Sequence, residues 1–309
     1  MVIGGAGFVG NYLIEHLSKD CKYQVIATKL ENENIKNNNC VKCDLNILNK
    51  NEIIDVLKKY NPDQIYHLAA QSSVKLSWEK PQLTVDININ GTINLLEAIK
   101  ETGLSSKILL VGSGEEYGHI KEIETPIKEE NPLRSGNIYA ATKVCQGLIG
   151  SIYAKAYFMD IIIVRAFNHI GAGQLPMFVV SDFCKQVVEI EKGLKEPTLK
   201  VGNLSAKRDF TDVRDVVRAY SLLMQKGKSG EIYNVGSGKA ISIRSILDII
   251  ISISKLNIDV IVDKEKLRPV DVPIIEADIT KIQSETGWAP TIEIEKTIIE
   301  NLEYWRQNI

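Results

Sequence analysis

Two tyrosine–lysine pairs in the chain have the spacing Y-x-x-x-K: Tyr117/Lys121 and Tyr139/Lys143. A chain with 11 tyrosines and 29 lysines holds about one such pair by chance, so context must choose between them. Tyr117 is followed at once by Gly118 and His119, a loop that gives Lys121 no fixed place beside it. Tyr139 and Lys143 open a stretch of helical period, where residues four apart share one face. An ammonium beside a phenol lowers the phenol pKa, so that tyrosine can exchange a proton near neutral pH. Ser113 follows an aliphatic run of strand length, at the edge where parallel sheets place ligands, and its hydroxyl can hold a substrate carbonyl beside the tyrosine. Glu115 adds a carboxylate that can act as a base or bind a substrate hydroxyl.

A second group of residues suits a phosphate. Gly4-Gly5-Ala6-Gly7-Phe8-Val9-Gly10 reads G-x-x-G-x-x-G ahead of a helical stretch. Such a turn lets the backbone approach a pyrophosphate, and the helix start offers free N–H groups and the positive end of its dipole. Only Met1, Val2 and Ile3 precede Gly4, fewer than the about five residues of a central strand. Either the start codon is misplaced or the first strand is truncated. At the end of the second strand, where an acidic residue commonly meets the adenosine ribose, stand Thr28 and Lys29. No carboxylate occupies that place to repel a 2′-phosphate, and Lys29 can pair with one, so the reading favours NADP(H) over NAD(H). Cys40 and Cys43 form a C-x-x-C without a second pair or nearby histidines, and are read as packing residues at a strand end.

Positioning these groups requires an alternating α/β chain. Apolar runs at 24–28, 64–68, 107–111 and 160–166 read as buried strands, and 9–19, 49–60, 83–102 and 139–157 as helices. The alternation predicts a doubly wound parallel (Rossmann) sheet through about residue 168. A smaller α/β substrate domain is expected over 169–309, with helices at 179–192, 214–225, 242–255 and 294–306, and with 213–238 returning to the first domain. Residues 31–39 read as a loop; the loops 171–177 and 264–273 read as contact surfaces.

Composition narrows the class. The 309 residues carry 37 basic and 39 acidic side chains and are 44% hydrophobic, an ordinary globular mixture. A pI near 6.2 gives no bulk attraction to nucleic acid, and the longest aliphatic run, 161–164, is too short to span a bilayer. Five cysteines, an odd number, point to reduced thiols and a soluble cytoplasmic protein.

GGAGFVG, His67–Ala70, Asn88–Thr92, Ser113, YAATK and Tyr233–Gly238 together resemble the extended short-chain dehydrogenase/reductases acting on nucleotide sugars. The resemblance spans essentially the whole chain. It implies Ser113, Tyr139 and Lys143 as the catalytic triad, with Glu115 beside it. It implies Leu68, Ala69 and Ala70 along the cofactor, Asp44 and Leu45 at the adenine, and a structural part for His67. Residues 165–174 and the segments Val201–Leu204 and Arg208–Phe210 are similar to the branch handling GDP-mannose derivatives. That likeness implies Ser113, Asn168, Val179, Lys185, Arg208 and Arg268 on the substrate, the arginines suiting phosphate oxygens. It implies a metal-free, NADPH-dependent reduction of the 4-keto group of GDP-4-dehydro-6-deoxy-D-mannose to GDP-D-rhamnose. The alternatives are GDP-mannose 4,6-dehydration, another epimerase or dehydratase of the family, and an NADP-binding regulatory protein without turnover.

In the relatives that dehydrate, an acid and a base follow the triad hydroxyl; here those positions are Gly114, which has no side chain, and Glu115. The 31–39 loop also lacks the arginine-rich extension of the GDP-mannose dehydratases. Both departures favour a reductase. The helices at 83–102 and 139–157 resemble those that pair in the family's four-helix dimer interface, so a homodimer is expected.

Overall fold

The computed structural model describes residues 1–266 and 272–309. In chain order its first elements are β1 (Val2–Ile3), α1 (Phe8–Ser18), β2 (Ile26–Lys29), β3 (Val41–Asp44), α2 (Lys50–Tyr60), β4 (Gln64–His67), α3 (Val74–Glu79), α4 (Pro81–Val85), α5 (Gly91–Thr102), β5 (Lys107–Ser113), α6 (Ile138–Tyr157) and β6 (Ile161–Ala166). There follow β7 (Asn168–Ile170), α7 (Val179–Glu191), β8 (Thr198–Val201), β9 (Lys207–Asp212), α8 (Val213–Lys226), β10 (Ile232–Val235), β11 (Ala240–Ser242), α9 (Ile243–Ser254), β12 (Asp259–Val262), β13 (Ile274–Ile275), α10 (Thr280–Thr286) and α11 (Ile294–Asn308).

Seven strands form one parallel sheet in the order β10-β6-β5-β4-β1-β2-β3. This is the doubly wound arrangement expected from the alternation. Every residue of β6 is buried, the condition under which a strand is written as an unbroken aliphatic run. Apolar clusters cover both faces. One centres on Leu13, Tyr66, Val164, Tyr220 and Trp288, the other on Ile3, Leu57, Leu96, Leu110 and Ile163. The helix α8 joins the first cluster, and β10 closes the sheet beside β6, so these later segments lie with the early ones. A third cluster, around Val187, Leu199, Ile246 and Leu302, holds α7, α9 and α11 together beside the short sheets β11-β9-β13 and β12-β8.

The expected helix 83–102 is in fact composite. Pro81 starts it two residues early, as proline does at a first helical position, and residues Asp86–Asn90 form a π-turn between α4 and α5. Gly103, in the left-handed region at φ +68°, ends it. The strand β5 runs two residues beyond the apolar stretch, making Ser113 its last residue. The strand β3, unread in the sequence, is exposed at most positions and so lacks an apolar signature.

Candidate active site

Ser113 ends β5 and Tyr139 and Lys143 lie in the first turns of α6, whose start Asn137 caps by accepting the Ala140 N–H at 2.8 Å. All three side chains are buried, and the Ser113 side chain lies close enough to the Tyr139 phenol to lower its pKa against burial. Lys143 Nζ donates to the Val111 carbonyl at 2.8 Å and to Gln146 Oε1 at 2.9 Å. Burial lowers its pKa to about 8, while the Glu116 carboxylate pulls the other way. The expected depression of the phenol by this ammonium is not seen. Burial pushes Tyr139 up, the Ser113 hydrogen bond opposes this, and the Glu115 and Glu116 charges add to the rise. The lysine's hydrogen bonds run to the strand and to Gln146 rather than to the phenol.

The second pair separates. The Tyr117 hydroxyl donates to Asn234 Oδ1 at 2.7 Å and accepts from Arg165 at 3.0 Å, while Lys121 is exposed. Glu115 is half-buried, its Oε2 accepting from Asn137 Nδ2 at 3.2 Å. Gly114 is covered by Phe167: a Cβ there would stand 3.1–3.3 Å from the ring. Below the turn, Glu116 accepts the Ser113 N–H at 2.8 Å and pairs with Arg165 Nε at 2.9 Å, both partners buried. Glu116 was missed in the sequence, although Ser113 and Glu116 spell the S-x-x-E capping box that announces it.

The residues present fit a dinucleotide. Gly4 takes φ +86° and a Cβ on it would come within 2.7 Å of the Ala69 amide nitrogen; a Cβ on Gly10 would strike the Gly4 carbonyl. The chain thus folds into a tight cradle between Gly4, Gly7, Gly10 and Ala69. No side chain caps α1 and its first turn holds no acid, so the N–H groups of Phe8 and Val9 face the cradle without an intrahelical acceptor. Half-buried Leu68, Ala69 and Ala70 line its other side.

Four residues expected toward the adenosine end of the cofactor bond to the chain itself. Thr28 is buried and its Oγ1 accepts the Gly4 N–H at 3.3 Å, so it supports the turn from beneath. Lys29 Nζ donates to the Leu30 and Glu31 carbonyls and to Asp44 Oδ1 at 2.6 Å, using all three of its protons. Asp44, expected at the adenine, is thereby the partner of Lys29. Leu45 is buried, its N–H given to the Lys29 carbonyl at 2.8 Å.

Asn88, in the π-turn, accepts the Gln71 N–H at 2.8 Å and donates to the Gln71 carbonyl at 3.1 Å and to Thr142 at 2.9 Å. It ties the loop after β4 to α6. Thr92 spends its proton on the Asn88 carbonyl, so His67 Nε2 donates to Thr92 at 3.0 Å and carries the ring proton. Burial lowers the His67 pKa to about 3, which keeps it neutral, as a structural histidine.

On the substrate side, Asn168 is exposed at the start of β7, just after Phe167. His169 stacks on Phe8 with centroids 6.3 Å apart, and Tyr12 donates to the Ala172 carbonyl at 2.8 Å, so α1 holds the 168–174 segment over the cradle. Val179 begins α7, half-buried. Lys185 is engaged elsewhere, by Glu189 at 3.6 Å and the Trp305 ring at 5.7 Å. Arg208 is buried and donates to the Lys207 and Val272 carbonyls at 2.8 and 2.7 Å. Arg268 lies outside the described residues.

The family model described as GDP-mannose 4,6 dehydratase matches residues 1–301. The chain belongs to that family. It is 32% identical over 248 residues to GDP-6-deoxy-D-mannose reductase of Pseudomonas aeruginosa, covering 80% of this chain and 82% of the relative. It is 29% identical over 279 residues to GDP-mannose 4,6-dehydratase of Yersinia enterocolitica, covering 80% and 74%. The solved structure of RMD from Pseudomonas aeruginosa complexed with NADPH superposes with TM-score 0.87 at 29% identity, over 100% and 99% of the two chains. UDP-glucose 4-epimerase of Thermus thermophilus, in complex with NAD, gives 0.88 at 27%, with the same coverage. The family chain described here is an NAD(P)-dependent nucleotide-sugar oxidoreductase, and its sheet is the Rossmann fold of the extended short-chain dehydrogenase/reductases. Among the described residues no helix is long and apolar enough to cross a membrane, and no three His, Cys, Asp or Glu group as a metal site.

Proposed function

We propose that this family member is a 4-keto reductase, converting GDP-4-dehydro-6-deoxy-D-mannose to GDP-D-rhamnose with NADPH. The observation that carries this reading is the Phe167 ring over Gly114. A dehydratase needs a proton donor at that position, and here there is no side chain, while a Cβ would crowd the Phe167 ring at 3.1–3.3 Å. The likeness to the reductase and to the NADPH-bound RMD supports the same choice.

NADPH supplies the hydride when bound. Ser113 orients the carbonyl oxygen, and Tyr139, a phenol protonated at neutral pH and held more firmly so by burial, gives that oxygen its proton. Lys143, largely protonated below its pKa of about 8, offsets the negative charge left on the phenol. The amides of Phe8 and Val9 take the cofactor's pyrophosphate, and Lys29 reads a 2′-phosphate by exchanging Asp44 for it. Residues 169–309 apart from 213–238, with Asn168, Arg208 and Arg268, form the nucleotide-sugar side. We place the protein in the cytoplasm as a homodimer through α4–α5 and α6, where Leu83, Val85, Leu148 and Ile152 are exposed.

One observation favours GDP-mannose 4,6-dehydration: Glu115 retains a carboxylate that can act as base. Incubation with GDP-mannose, and separately with its 4-keto-6-deoxy product, with and without NADPH, decides between the two. One NADPH should be oxidised per keto sugar and GDP-mannose should remain unchanged. Formation of a 4-keto-6-deoxy sugar without net loss of NADPH would overturn the reductase reading and make Glu115 the base.

A further inference from the structure

Glu116 is 1% exposed, an unusual place for a carboxylate, and it touches the site only through others. Its Oε1 takes the Ser113 N–H and its Oε2 takes Arg165 Nε. Arg165 is held in turn by the Tyr117 hydroxyl and the Glu129 carbonyl, at 3.0 and 2.9 Å. Gly112 lacks a side chain where one is sterically impossible, since a Cβ would strike the Glu116 carboxylate. Ser113 is thereby fixed in extended backbone at φ −148°, ψ 145°, with its Oγ accepting the Glu115 N–H at 3.2 Å. Burial pushes the Glu116 carboxyl above its ordinary value, while the Arg165 guanidinium and the Ser113 N–H pull it back; protonation would leave that buried guanidinium without its counter-charge, which favours the carboxylate.

We propose that Glu116 is the positioning residue of this site: locked by Arg165, it sets Ser113 through the main chain and supplies the counter-charge of Lys143. The proposal rests on the reading of Ser113, Tyr139 and Lys143 as the reacting groups. Its charge reaches both of the others, raising Lys143 and Tyr139 alike. The other charged or titratable groups facing this cluster are Arg165 on β6, Glu115 and Tyr117 in the turn after β5, Glu129, His67 on β4 and Tyr220 on α8.

Glu116→Gln keeps the size and the acceptor for the Ser113 N–H but removes the charge. Both Tyr139 and Lys143 should then lose protons at lower pH. The basic limb of kcat/KM for keto reduction, set by loss of the Lys143 proton at about 8, should move down by about one pH unit, with kcat about tenfold lower. Glu116→Asp keeps the charge and should keep the wild-type limb while remaining slower, a split that lost packing alone does not produce. Because glutamine leaves Arg165 unpaired, Glu116→Gln/Arg165→Met is made alongside and carries the test if the single variant does not fold, as judged by circular dichroism and NADPH binding. Titration of Lys143 by 13Cε-lysine NMR, assigned with Lys143→Met, gives the same comparison without turnover. Absence of wild-type keto reduction would therefore sink the functional reading while this one is still read by NMR. An unmoved limb and an unmoved Lys143 titration in the folded charge-free variant would overturn the proposal.

Discussion

The ring of Phe167 lies over Gly114 so closely that a single added methyl would meet three of its carbons within 3.3 Å. Phe167 is itself buried against Tyr117, Ile127 and Ile275, which leaves the ring little room to withdraw. Gly114→Ala should cost about 1–3 kcal/mol of stability by overpacking. Phe167→Leu should relieve that cost, giving a favourable coupling in a double-mutant cycle by urea unfolding. Additive losses would show that the two residues do not constrain each other.

Tyr139→Phe should lower keto reduction by about a hundredfold or more while NADPH binding stays within a few-fold, since only the proton path is lost. Tyr117→Phe should leave kcat of the folded enzyme nearly unchanged. It should cost about 1–3 kcal/mol of stability, because Asn234 and Arg165 lose a buried partner. Equal losses of turnover in the two variants would remove Tyr139 from its assigned role.

Lys143 has its pKa depressed from 10.5 to about 8 by burial. Between those values the unfolded chain binds the proton that the folded chain has released, so this group's contribution to stability rises with pH across the window from about 8 to 10.5. Wild-type stability minus that of Lys143→Met should therefore increase from about pH 8 to about pH 10, by on the order of 3 kcal/mol at most. A difference independent of pH would mean that Lys143 titrates normally in the fold.

Asn88→Ala releases both backbone bonds to Gln71 and the bond to Thr142. The loop carrying Leu68–Ala70 is then free of α6, and NADPH affinity should fall about tenfold, with loss of stability of about 1–3 kcal/mol. Fluorescence titration with NADPH checks this; unchanged affinity would show that the cradle does not depend on the π-turn.

Asp44 and a bound 2′-phosphate compete for the Lys29 ammonium. Asp44→Asn should tighten NADPH relative to NADH, and Lys29→Ala should narrow the preference for NADPH. The ratio of the two dissociation constants in each variant is the measurement, and a tighter NADH than NADPH in the wild type would refute the assignment.

Local spacing determined a great deal here. Alternating apolar runs settle the parallel sheet, since buried strands and crossover helices differ in length and period. The glycine turn ahead of α1 and the Tyr139–Lys143 spacing opening α6 follow from backbone sterics and helical geometry, which act over a few residues. Tertiary structure decided the rest through pairs far apart in the chain. Glu116 meets Arg165 49 residues away, and Tyr117 meets Asn234 117 residues away. Lys29 is turned from solvent to Asp44 by the register of β2 on β3. The return of β10 to β6 likewise depends on which sheet edge a late strand finds. Even the direction of the Tyr139 shift was undecidable from spacing. A lysine four residues on predicts a lowered phenol, but burial and two carboxylates outweigh it, and desolvation exists only once the chain has packed.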